Sequence, residues 1–133
     1  MSALCIAHPE WMDIPCPGGA VSHGANQDWF PEEHQRRAGC GPTTAAQIFC
    51  YLARRRPELA ALCDPIPAGQ AEFVAYMCRV WPFVTPRSHG LNRPEYMAED
   101  MAAYGAARGV ALAPTLFAFP SARTKRPPWE RLR

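Results

Sequence analysis

The chain contains no apolar run of the length needed to cross a membrane, so a helical membrane span is not expected. Its first residues, MSALCIAHPEWMD, show neither a basic n-region nor a long apolar h-region. No secretion signal is expected there, and the expected location is the cytoplasm. Paired short spacings of the kind that build zinc modules are missing. Cys5 with His8 and Cys16 with His23 stand as isolated combinations, so neither a metal nor any other cofactor is expected. Basic residues interleaved with aromatics are missing too, which argues against a nucleic-acid partner. Strand-like alternation is scarce, and only residues 110–119 read as a convincing β-strand.

The charge that is present is uneven. Residues 1–122 hold nine arginines against eleven acidic residues, whereas residues 123–133 hold five basic residues and one acidic. The formal net charge of +2 is therefore made by a basic tail or truncated helix start at 123–133. With 48% hydrophobic and 20% charged residues, the 133-residue chain has the composition of a soluble globular protein. That length suits one domain with a modest core. Six cysteines in so short a chain raise a disulfide framework. Several of them sit in or beside helical segments without a secretion signal, so free thiols are expected.

Local signals divide the chain. Residues 1–33 contain Pro9, Pro15, Pro17, Gly18, Gly19, Gly24 and Pro31 without a sustained period, and read as extended and looping. Trp11, Trp29 and Phe30 would tie them down. Four helices are expected after that. The first runs to about Arg55, and a short second covers Pro57 to Cys63. The third spans about Ala68 to Val80, with Phe73, Val74, Met77, Cys78 and Trp81 on its apolar side. The fourth opens with Asn92 as N-cap and Pro94 in its first turn, carries Tyr96, Met97, Met101 and Tyr104, and ends at Gly109.

The most informative stretch is Arg37 to Ala53, RAGCGPTTAAQIFCYLA. Gly39 and Gly41 bracket Cys40 and offer backbone freedom on both sides. Pro42 suits the first turn of a helix, where its missing N–H is no loss. Ala45, Ile48, Phe49, Leu52 and Ala53 then recur at helical spacing. Cys40 is thus expected at a helix N-terminus, whose unpaired N–H groups and dipole favour a negatively charged sulfur. That is how a nucleophilic cysteine is built.

GCGPTTAAQIFCYLA resembles the nucleophile segment of papain-like bacterial cysteine peptidases, the group related to the bacteriocin-processing peptidase domains of ABC transporters. The upstream SHGANQDWFP, Ser22 to Pro31, resembles the lead-in of the same group. The resemblance covers roughly residues 22–55. It implies a hydrolase in which Cys40 attacks a peptide or amide carbonyl, with a peptide or protein as substrate.

The resemblance also implies an oxyanion-hole glutamine upstream of the nucleophile. Gln35, five residues before Cys40, approximates the usual short spacing, while Gln27 resembles the Gln preceding a Trp in the bacterial group and is preferred. The Cys40 N–H would be the second donor. The base is implied to be a histidine following the nucleophile. His89 has that chain order but lies in a loop beside Pro86 and Gly90. His34 is nearer in sequence and precedes the cysteine.

The fold expected is α+β: the mostly helical N-terminal half of a papain-like fold, about four helices with one strand at 110–119. The sheet half, with a strand-borne His and its Asp or Asn partner, would be missing, as though the single domain at 1–133 were incomplete. Little or no turnover is then expected. A catalytically inactive peptide-binding or regulatory module of the same fold is the alternative.

Overall fold

The computed structural model describes residues 5–116. The protein is a mixed α+β structure, mostly helical, with one small antiparallel sheet. Its elements are β1 (Asp13–Pro15), β2 (Val21–His23), α1 (Glu33–Ala38), α2 (Cys40–Arg55), α3 (Gln70–Val80) and α4 (Pro94–Ala107). Single 3-10 turns at Pro9–Met12, Pro17–Gly19, Gln27–Trp29 and Pro57–Leu62 link them.

Helix α2 is the centre of the packing. Gly41, Pro42, Ala45, Ala46, Phe49, Cys50 and Ala53 are buried along it, while Ile48 and Leu52 are only half-buried. The turn at Pro57–Leu62 folds back on α2 and is tied to it by a disulfide between Cys50 and Cys63, both buried. The free-thiol expectation is corrected for these two residues. Helix α2 and the turn after it bring their Cα atoms to 5.1 Å, a geometry that linear spacing does not reveal. Closing a loop of this size stabilises by about 3 kcal/mol through the entropy of the unfolded chain. Cys5, Cys16, Cys40 and Cys78 are free.

Helix α3 buries Phe73, Tyr76, Met77 and Val80. Tyr76 and Val80 thus take the places that Cys78 and Trp81 were expected to fill, both of which stay half-buried. Helix α4 contributes Tyr104, stacked on Phe49 at 4.4 Å between centroids. Its N-cap is Arg93 rather than Asn92, because Pro94 supplies the first helical residue and no side chain caps the turn. The Tyr76 and Tyr104 hydroxyls converge on the Leu62 carbonyl at 2.5 and 2.8 Å. This polar knot fastens α3 and α4 to the turn after α2.

The strand expected at 110–119 is not found over 110–116; residues 117–119, like the tail at 123–133, lie outside the described residues. Gly109, at φ 73°, turns the chain after α4, and Val110 and Leu112 pack back against it at Gly105. A strand exists only through a paired neighbour, and 110–116 has none among the described residues. The sheet lies instead in the segment expected to loop. Strands β1 and β2 pair Asp13 with His23, Ile14 with Ser22 and Pro15 with Val21. The connection closes through the Cys16 N–H on the Ala20 carbonyl at 2.7 Å, with Gly18 and Gly19 both in the left-handed region.

This hairpin is held on α2 by Gln47. Its Oε1 accepts from the Ala25 N–H at 2.8 Å and its Nε2 donates to the Met12 carbonyl at 3.4 Å. One side chain of α2 therefore grips both ends of the hairpin, two turns beyond Cys40. Among the described residues no helix is long and apolar enough to cross a membrane.

Candidate active site

Cys40 is the first residue of α2 and its side chain is exposed. The short helix α1 ends at Ala38, and the chain changes direction at Gly39 before α2 begins. Gly39 is not left-handed: its φ is −84° and its ψ 9°. What requires a glycine there is space. An added Cβ would lie 2.7 Å from the Phe30 ring and closer still to the Gln35 carbonyl oxygen. At Gly41 an added Cβ would run into Cδ1 of Leu91. The two glycines thus let the turn around Cys40 sit directly against its neighbours, a packing role in place of the conformational one expected from the sequence.

Pro42 and Thr43 are buried beneath the turn, while Thr44 is exposed and its Oγ1 donates to the Cys40 carbonyl at 2.8 Å. Thr43 Oγ1 is buried with no hydrogen-bond partner among the described residues.

Cys40 lies on a ridge between two open depressions. One, of about 220 Å³, is formed with Gly41, Thr44, Leu91, Arg93, Pro94 and Met97. The other, of about 380 Å³, is lined by Ser22 to Gln27 together with Cys40, Thr43 and Thr44. Larger hollows lie elsewhere. One of about 400 Å³ lies between the hairpin and α3, and one of about 630 Å³ around Pro65, Arg79 and Arg108. Neither is lined by Cys40.

The structure separates the two glutamines. Gln27 lines the larger depression beside Cys40, and its Nε2 donates to the Arg36 carbonyl at 2.7 Å. Nε2 carries a second hydrogen. Gln35 is engaged differently: its Oε1 accepts from the Glu32 N–H at 3.3 Å, completing a capping box at the start of α1. It lines neither depression at Cys40.

The histidines are separated as well. His89 is exposed in the tight turn closed by Arg87 and Gly90. That turn is anchored to α4 by a bidentate pair between Arg87 and Asp100, and Arg87 lies over the Tyr96 ring at 4.4 Å. Leu91, two residues on, reaches the smaller depression, but His89 lines neither one. His34 stands edge-on to Trp81, with ring centroids 5.8 Å apart. His8 stacks on Trp11 at 3.9 Å, and its backbone N–H donates to the Tyr51 hydroxyl, well along α2 from Cys40.

The histidine that does line a depression with Cys40 is His23. Its Nδ1 lies 2.7 Å from Oδ1 of Asp13, the residue directly opposite across the hairpin. Sequence reasoning missed this pair because it took the segment as loop. The available signal was the Pro-Gly-Gly run at 17–19, which marks a turn between two short extended stretches. Among the described residues no group of three His, Cys, Asp or Glu side chains is gathered as a metal site would require. Compared with family models, with curated proteins and with solved structures, the chain matches none.

Proposed function

We propose that this chain is a cysteine peptidase-like hydrolase of the papain-like type, acting on a peptide or amide bond through Cys40. The observation that carries the reading is the placement of an exposed Cys40 at the first residue of α2, with Gln27 lining the same depression. A nucleophile needs an exposed sulfur and donors for the oxyanion beside it. Here the donors are the Cys40 N–H and Nε2 of Gln27. The sulfur attacks the carbonyl carbon, the amine leaves, and water resolves the thioester to a carboxylic acid and a free thiol. The depression at Ser22 to Gln27 would receive the substrate, its volume lying at the small end of ligand pockets.

The test is cleavage of a mixed peptide pool by the full chain, read as new N-termini by mass spectrometry. Cleavage by the wild type that disappears in Cys40→Ser supports the hydrolase. Cleavage that survives Cys40→Ser overturns it. An uncut pool also overturns it, and retention of intact peptides in that case selects the inactive peptide-binding module of the same fold.

A further inference from the structure

We infer that His23, oriented by Asp13, is the base that serves Cys40. This rests on the reading of Cys40 as a nucleophile and supplies the component that chain order places at His89.

The geometry begins with register. Asp13 and His23 are the terminal pair of the β1–β2 ladder, directly opposite each other, so their side chains share one face of the hairpin. A carboxylate oxygen only accepts, so the hydrogen in the 2.7 Å contact belongs to Nδ1 of His23. In the neutral imidazole that leaves Nε2 as the acceptor nitrogen, the tautomer a general base requires. Gln47 ties the hairpin to the helix that carries Cys40, through the carbonyl of Met12, just before Asp13, and the N–H of Ala25, two residues after His23. Helix α2 thus carries the nucleophile at its first residue and, two turns later, the side chain that fixes the base. His23 and Cys40 then bound one open depression, with Gln27 on the same rim.

The proton accounting closes within these residues. Nε2 of His23 takes the proton of the Cys40 thiol as sulfur bonds to the substrate carbonyl carbon. The imidazolium gives that proton to the leaving nitrogen as the C–N bond breaks. Nε2 next takes a proton from the water that attacks the thioester, and returns it to sulfur as the C–S bond breaks. Asp13 acts through its hydrogen bond to His23 and is a positioning residue. Activity on this account needs neither a histidine from a later sheet half nor His89; the base stands on β2.

The His23 side chain is 84% exposed, so its substitution removes chemistry and leaves the core intact. The experiment is alkylation of the full chain by iodoacetamide across a pH series, with labelling of Cys40 followed by peptide mass spectrometry, alongside the peptide-pool assay. His23→Gln should slow Cys40 labelling near neutral pH by tenfold or more, and move its pH profile to that of an unassisted thiol. Loss of a general base of this kind lowers turnover about 10²- to 10⁴-fold. Asp13→Asn should shift the same profile in the same direction by a smaller amount, which a purely structural role would not do. A profile unmoved by His23→Gln overturns the inference even when Cys40→Ser abolishes cleavage; the hydrolase reading then stands alone. A profile moved by His89→Ala and not by His23→Gln overturns it in favour of the family's chain order. A profile moved by His23→Gln while the peptide pool stays uncut supports the Cys40–His23 pair and overturns peptide hydrolysis only.

Discussion

Nε2 of Gln27 donates to the carbonyl oxygen of Arg36 at 2.7 Å, the carbonyl that an unbroken helix would offer to the N–H of Cys40. The glutamine is therefore seated at the break between α1 and α2, where the turn into Cys40 is made. The same bond fixes the amide that would face an oxyanion, so position and chemistry are coupled through one side chain.

Gln27→Ala is expected to lower kcat on a cleaved peptide by about 10²- to 10³-fold, the usual cost of one oxyanion donor. KM should change little, because the donor acts most strongly on charge that develops in the transition state. Steady-state kinetics on one peptide from the cleaved pool decide the matter. A loss confined to KM would remove Gln27 from the oxyanion role. Gln35→Ala should act on stability instead, through the capping box it closes with Glu32.

The glycines flanking Cys40 are expected to differ in their tolerance of alanine. At Gly39 the added methyl group meets the Gln35 backbone oxygen and the Phe30 ring, neither of which can swing aside. Overpacking of that kind costs about 1–3 kcal/mol. At Gly41 the obstacle is the end of the Leu91 side chain, which can rotate into the open depression beside it. Thermal denaturation of the two variants should rank Gly39→Ala as clearly less stable than Gly41→Ala. Equal melting temperatures would contradict the packing argument.

The two tyrosines on the Leu62 carbonyl should not behave additively. Burial, reinforced by the hydrogen bond with Tyr104, holds the Tyr76 hydroxyl far above the ordinary phenol range, so it stays a donor. Either hydroxyl alone can satisfy the carbonyl, and each single Tyr→Phe change is expected to cost about 1 kcal/mol. Removing both leaves a buried acceptor with no side-chain donor, which adds a desolvation cost of about 1–3 kcal/mol beyond the two single losses. Urea unfolding of Tyr76→Phe, Tyr104→Phe and the double variant forms the cycle. A double-variant loss equal to the sum of the singles would show that the carbonyl does not depend on the pair.

Much of the helical frame was legible because its signals are local. Pro42 stands in the first turn of α2 and Pro94 opens α4. Gly109 turns the chain after α4, and Pro82 follows the end of α3. Each of these acts through its own backbone conformation or its missing N–H, which tertiary context rarely overrides. The exposed Cys40 at the start of α2 was legible for the same reason. The choice between Gln27 and Gln35 was not, since both are polar residues upstream of the turn. Only the fold shows that one borders the depression while the other caps α1.

By itself, then, the amino-acid order determined the approximate bounds of α2, α3 and α4 and that Cys40 begins the longest of them, while α1 at Glu33–Ala38 was not expected. Tertiary structure decided the rest. It paired Cys50 with Cys63, turned residues 13–23 into a hairpin, and left 110–116 without a strand partner among the described residues. It also set His23 against Asp13, ten residues apart, and Gln47 against Met12 and Ala25. The physical reason is shared. A strand, a disulfide and a hydrogen-bonded dyad each require a second segment at bonding distance, and that distance is set by the packing of the whole core on α2, not by the residues alone.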